Sequence, residues 1–161
     1  MLAHTQNAGF TSIGEEREVD FVPDALDFPL RKSGLLLRFR AVYTKQAEDI
    51  LLTLKIKKSR EKYKVDEEIQ CFFSEKNFDI LESINERLAS VGAPALDEKI
   101  FSITDFHALQ KHIVEIGFTE LRALIGKKRT SFKKGKETIT FDQFPEGIGC
   151  FMEIESPNTQ M

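Results

Sequence analysis

The residues from 150 to 156 read "CFMEIES" and put Glu153 and Glu155 two positions apart. In an extended strand alternate side chains share a face, so both carboxylates point the same way and repel. A divalent cation relieves that repulsion. Basic residues repeat the same spacing upstream: Arg38 with Arg40, Lys55 with Lys57, and Lys127 with Arg129. Acids and polar groups do so as well, with Lys64, Asp66, Glu68 and Gln70 on one period and Thr140 with Asp142 on another. Cations clamp phosphate oxygens, and carboxylates hold the metal that bridges them. The chemistry these types could do together is therefore that of a polyphosphate with a divalent metal.

Position decides whether they act together. The stretches 35–43, 49–58, 63–73, 120–132, 137–144 and 149–156 alternate polar with apolar residues and predict strands. Residues 20–34, punctuated by Pro23, Pro29 and Gly34, predict a short strand and turns. Between the two strand groups the period changes. In 74–93, Phe78, Leu81, Ile84 and Leu88 form an apolar stripe, with Ser74 or Asn77 as cap and Gly92 as stop. A second helix is predicted over 104–118, capped by Thr104 or Asp105 and closed by Gly117. The class is α+β with antiparallel strands. Periodicity leaves two arrangements open. One is a half-exposed sheet with helices on one side and water on the other. The other is an antiparallel β-barrel, a tunnel with a charged lumen and helices packed outside.

Composition bounds the function classes. A chain of 161 residues with 41% hydrophobic and 30% charged content is one domain with a real core. Phe supplies 14 of the aromatics and Trp none, which predicts a Phe- and Leu-rich core. A net charge of −3 gives no general attraction to nucleic acid or an anionic membrane. The basic "GKKR" and "KKGK" stretches are flanked by acids, so nucleic acid is not the expected partner. No apolar run approaches the roughly 20 residues of a membrane span. Cys71 and Cys150 form no metal knuckle or disulfide framework and are expected to pack as small hydrophobes on apolar strand faces, in a reducing cytoplasm. His4, His107 and His112 lack ligand spacing, and Ser33 and Ser131 lack a nearby base.

Five pieces in order, "LRKSGLLLRFR" (30–40), "TLKIK" (53–57), "KKR" (127–129) and "FDQFPEG" running on into "IGCFMEIE" (141–155), resemble the CYTH family. These are the triphosphate tunnel metalloenzymes, which include class IV adenylyl cyclases and thiamine triphosphatases. The likeness spans roughly residues 17–156. It implies that Arg38, Arg40, Lys55, Lys57, Lys127 and Arg129 bind the triphosphate, with Lys55 and Arg129 acting in catalysis. It implies that Glu68, Asp142, Glu153 and Glu155 hold Mg²⁺ or Mn²⁺. It favours the tunnel over the half-exposed sheet. Departures accompany it. No Glu-x-Glu-x-Lys strand opens the chain, although "EREVDF" (16–21) holds alternating acids. Asp66 and Gln70 stand where an arginine and a second glutamate are usual.

The expectation is thus a single domain over 1–161 that lacks the family's first strand and C-terminal elements. An open edge then predicts self-association as a homodimer, or lower stability than a longer version. The expected partner is a triphosphate-bearing small molecule: ATP, thiamine triphosphate or tripolyphosphate. Attack by water makes the protein a triphosphatase; attack by the ribose 3′-hydroxyl makes it a cyclase releasing pyrophosphate. A non-catalytic nucleotide- or polyphosphate-binding tunnel is the alternative.

Overall fold

The computed structural model describes residues 5, 7–58, 66–145 and 147–156. Seven strands form one antiparallel sheet in the order β4-β3-β2-β1-β5-β6-β7. They are β1 (Thr11–Asp24), β2 (Leu35–Tyr43), β3 (Glu48–Lys57), β4 (Asp66–Phe72), β5 (Glu120–Lys134), β6 (Glu137–Gln143) and β7 (Cys150–Glu155). Among the described residues, the α-helices between these strands are α1 (Pro29–Lys32), α2 (Phe78–Ser90) and α3 (Phe106–Glu115). The architecture is α+β, as the alternating patterns predict. Among the described residues no helix is long and apolar enough to cross a membrane.

The chain divides into two compact units. The larger comprises Val19–Val42 and Glu48–Ile125. Its strands sort their side chains by the two-residue period. On β2 and β3 the residues Leu37, Phe39, Leu52 and Leu54 are fully buried. Each such side chain contributes about 1.5–3 kcal/mol by leaving water. Buried Leu81, Ile84 and Leu88 of α2 and Leu109 and Ile113 of α3 supply the helical part of this core. The Phe-rich composition becomes a chain of edge-on ring contacts: Phe39 to Phe73 at 6.4 Å, Phe73 to Phe101 at 5.4 Å, and Phe101 to Phe78 at 5.6 Å. Asn77 caps α2 by accepting from the Ile80 N–H at 3.1 Å, and Asp105 caps α3 through Ala108. Ser74 is not a cap of α2: its hydroxyl donates to Asp49 Oδ2.

Residues 20–34 differ from expectation. The strand that the prolines suggested would be short runs from Thr11 to Asp24, and α1 follows it. The buried Asp24 carboxylate accepts from the Ala25, Leu30 and Arg31 N–H groups at 2.9–3.1 Å. These bonds tie the turn back to the strand end. The start of the predicted 63–73 strand, residues 63–65 with Lys64, lies outside the described residues, as does His4.

The smaller unit comprises Met1–Glu18, Tyr43–Ala47 and Gly126–Met161. Here β5, β6 and β7 form an antiparallel ladder with Arg129 opposite Asp142 and Thr140 opposite Glu153. One face carries Phe132 against Phe141, their ring centres 5.9 Å apart. The other carries Lys127, Arg129, Ser131, Thr140, Asp142, Phe151, Glu153 and Glu155, by the same register. Cys71 is buried as expected, but Cys150 is exposed. The reason is its position on β7, which ends the sheet and has no buried residue.

Candidate functional site

In the larger unit, strand alternation puts Arg38 and Arg40 on the face of β2 opposite Leu37 and Phe39. Arg38 is half-buried there. Arg40 is only 8% exposed, and a forked pair holds it: Nε and Nη2 donate to Asp20 Oδ1 and Oδ2 at 2.6 and 2.8 Å. The ladder between β3 and β4 sets Lys55 opposite Glu68 and Lys57 opposite Asp66. The Lys55 ammonium lies 2.9 Å from Glu68 Oε1 and 3.2 Å from Asp66 Oδ2. Burial disfavours its charge, but the hydrogen bonds to Glu68 and Asp66 outweigh that and raise its pKa above the ordinary 10.5. Lys55 is therefore a fixed cation at neutral pH, suited to electrostatic work rather than to accepting a proton. Lys57, at the exposed strand end, makes no side-chain ion pair among the described residues.

The smaller unit holds the denser cluster. Lys127 Nζ donates to Asp142 Oδ2 at 2.6 Å and lies 3.0 Å from Glu18 Oε2. Arg129 donates to both Asp142 oxygens, at 2.6 and 2.7 Å, and lies 3.8 Å from Glu18 and 3.6 Å from Glu153. The Arg129 guanidinium is held firmly protonated, chiefly by its hydrogen bond to Asp142. Burial works against ionising Asp142, yet the donors on Arg129 and Lys127 keep its carboxyl below the ordinary 3.8. Thr140, on the same face and opposite Glu153, is 8% exposed, and its hydroxyl has no hydrogen-bond partner among the described residues. Burying such a group unsatisfied is costly, and a ligand atom would relieve it.

The structure thus brings together Lys127, Arg129, Asp142 and Glu153, and separately Lys55 and Glu68. Glu155 shares the face of Glu153 but is exposed and makes no ion pair with a described residue. Two participants were not expected from the sequence. Glu18, 2% exposed, and Asp20 bind the very cations assigned to phosphate. The signal was the alternation Glu16, Glu18, Asp20 in "EREVDF", which becomes informative once β1 is known to run through it.

The carboxylates do not fit a resident metal in this arrangement. Among the described residues no three Asp, Glu, His or Cys side chains form a group that could hold one. Asp142 spends both oxygens on Lys127 and Arg129, and Glu68 faces Lys55.

No protein-family model and no curated protein matches the sequence. Solved structures do. A Pyrococcus horikoshii protein matches with a TM-score of 0.61 at 18% identity, over 96% of this chain and 71% of its own. A candidate adenylate cyclase from Vibrio parahaemolyticus matches with a TM-score of 0.58 at 19% identity, over 98% and 70%. A candidate adenylyl cyclase from Hippeastrum, described as having a dominant triphosphatase activity, matches with a TM-score of 0.54 at 15% identity, over 95% and 70%. At these identities the likeness is one of fold, and the fold of this chain is the CYTH type.

Proposed function

We propose that the protein processes a triphosphate carried with Mg²⁺ or Mn²⁺, by hydrolysis or by cyclisation with release of pyrophosphate. The observation that carries this is the pairing of Lys127 and Arg129 on Asp142, buried on a sheet face that also bears Glu153. Such a pair is oriented in advance, and pre-set charges stabilise developing negative charge without reorganising. A triphosphate brings several anionic oxygens, enough to compete with Asp142 and Glu18 for the two cations. Arg38, Arg40, Lys55 and Lys57 are assigned to phosphate as well, with Asp20 and Glu68 as the resting partners of Arg40 and Lys55. Lys55 and Arg129 are the residues assigned to catalysis, and each is held protonated, the state in which a side chain can absorb charge on a phosphoryl oxygen. Glu153 and Glu155 are the acids left facing solvent, and they are assigned to the metal that travels with the substrate. The triphosphatase activity of the Hippeastrum protein, and the cyclase description of that protein and of the Vibrio one, agree with this class.

The test is turnover of tripolyphosphate, thiamine triphosphate and ATP with Mg²⁺ or Mn²⁺, with the products resolved. Orthophosphate release identifies a triphosphatase, and pyrophosphate with a cyclic nucleotide identifies a cyclase. Tight binding of a triphosphate without any product makes the chain a binder, and no binding of any of the three sinks the proposal.

A further inference from the structure

Lys128 stands between Lys127 and Arg129, and the two-residue period turns its side chain to the opposite face of β5. On β1 the same period sends Glu18 one way and Glu15 with Arg17 the other. The contacts agree: Lys127 meets Glu18 at 3.0 Å, and Lys128 meets Glu15 at 3.2 Å. On this reverse face lies a cavity of about 300 Å³, within the smaller unit. Glu15, Arg17 and Lys128 line it, with Tyr43, Thr44 and Lys45 from the turn between β2 and β3. Glu16 borders it as well, but alternation turns its carboxylate to the face of Glu18. The cations here are held differently from those of the Lys127 cluster, which spend their donors on carboxylates. The Arg17 guanidinium lies over the Tyr43 ring, 4.8 Å from its centre, and makes no ion pair with a described residue. That contact positions the guanidinium without consuming its forked N–H donors. Lys45 makes no ion pair with a described residue either. Its turn is fixed by Thr44 Oγ1, which donates to the Ala47 carbonyl and accepts from the Gln46 and Ala47 N–H groups. Lys128 has Glu15, but their side chains are 55% and 52% exposed, and pairs so wet are weak. Three cations therefore share one carboxylate.

From these features we infer that the reverse face of β1 and β5 is a second anion site, which takes a compact multivalent phosphate such as orthophosphate or pyrophosphate. Arg17 supplies the fork, and Lys45 and Lys128 supply flanking charge. The cavity lies at the lower end of the range for small-molecule sites, so the ligand is small. Valence decides among oxyanions. A guanidinium fork fits carboxylate and phosphate alike, but two flanking ammonium groups reward a ligand that carries two or more charges. Acetate gains little from them. Glu15 is the internal competitor, since its carboxylate holds Lys128 until an anion takes its place. The site shares no residue with the cations assigned to the triphosphate, so it holds or falls independently of that chemistry.

The experiment is calorimetric titration of orthophosphate, pyrophosphate and acetate, without metal, into the wild type, Arg17→Gln, Arg17→Lys and Glu15→Gln. Glu15 and Arg17 are exposed, so these variants should fold as the wild type does. Any heat from the cluster on the other face is common to all four proteins. The wild type should bind pyrophosphate most tightly and acetate least. Arg17→Gln should weaken pyrophosphate roughly tenfold, the worth of one charge-assisted contact. Arg17→Lys keeps the charge but loses the planar fork, and should lose nearly as much. Glu15→Gln acts in the opposite direction: it releases Lys128 and should tighten pyrophosphate about twofold to fivefold, the worth of an exposed ion pair. Pyrophosphate binding unchanged in both Arg17 variants would place the anion elsewhere and overturn the site. Full retention in Arg17→Lys would reduce it to net charge and overturn the built fork. Acetate bound as tightly as pyrophosphate, or no binding of pyrophosphate by the wild type, would overturn it equally.

Discussion

Arg40 and Asp20 form a two-pronged ion pair, with donor–acceptor distances of 2.6 and 2.8 Å, between neighbouring strands β1 and β2. The arginine that the family resemblance assigns to phosphate is thus already bonded to a carboxylate. An incoming anion must either share the guanidinium or displace Asp20. Charge-assisted hydrogen bonds contribute about 1.5–3 kcal/mol each, so the competition is substantial.

Asp20→Asn should therefore tighten tripolyphosphate binding, by roughly tenfold, while lowering stability by about 1–3 kcal/mol. Calorimetry and urea unfolding measure the two effects. Weaker binding together with the lost stability would mean that Asp20 orients Arg40 for the ligand instead of competing with it.

Glu18 is the least exposed acid of the Lys127 cluster, and its removal leaves a buried ammonium with one carboxylate instead of two. Taking one partner from a buried charge network costs about 3–5 kcal/mol when no compensation remains. Asp142 does remain, so Glu18→Gln should cost less, on the order of 1–3 kcal/mol in denaturant unfolding. A loss below about 0.5 kcal/mol, the range of ordinary surface changes, would show that Asp142 alone neutralises Lys127.

The pH dependence follows from Asp142. Its folded-state pKa lies below the ordinary 3.8, because the donors on Arg129 and Lys127 outweigh burial. The unfolded chain therefore binds the proton first as pH falls. The stabilisation is fully present above the ordinary value and is lost as pH drops through the folded one. Asp142→Asn should lower stability at neutral pH and flatten its fall below about pH 4. Parallel stability curves for variant and wild type down to the acid limit would exclude Asp142 as a source of the acid sensitivity.

Metal should follow the triphosphate. In equilibrium dialysis the protein alone should retain no stoichiometric Mn²⁺, since no three donors converge among the described residues. Addition of tripolyphosphate should bring Mn²⁺ with it, and Glu153→Gln with Glu155→Gln should reduce the amount retained. One tightly held Mn²⁺ per chain without any phosphate would instead establish a resident metal.

The ladders were legible because alternation is a local property. The strands predicted over 35–43 and 137–144 are found at Leu35–Tyr43 and Glu137–Gln143, and Asn77 and Asp105 cap the helices that their side-chain chemistry suggested. Pairing of Lys55 with Glu68, and of Arg129 with Asp142, required register, which no single stretch encodes. β1 was the main loss. Residues 20–34, with Pro23, Pro29 and Gly34, read as a short strand and turns, whereas the strand starts at Thr11 and runs to Asp24, whose carboxylate binds the following backbone. With β1 went Glu18 and Asp20, the two acids that set the resting state of Lys127 and Arg40. Cys150 misled for the opposite reason: alternation names a face but says nothing of whether anything covers it.

The turn ahead of β7 has a consequence for charge. Gly147 and Gly149 take φ values of 91° and 102°, which side-chain-bearing residues rarely adopt, and the Phe144 N–H closes onto the Gly149 carbonyl at 3.0 Å. That closure fixes which residue of β7 meets which residue of β6. A slip of one position would turn Glu153 and Glu155 to the opposite face and bring Met152 and Ile154 in their place, since the side-chain period is two. The sign of the potential beside Arg129 is therefore written in the backbone angles of two glycines that carry no charge of their own.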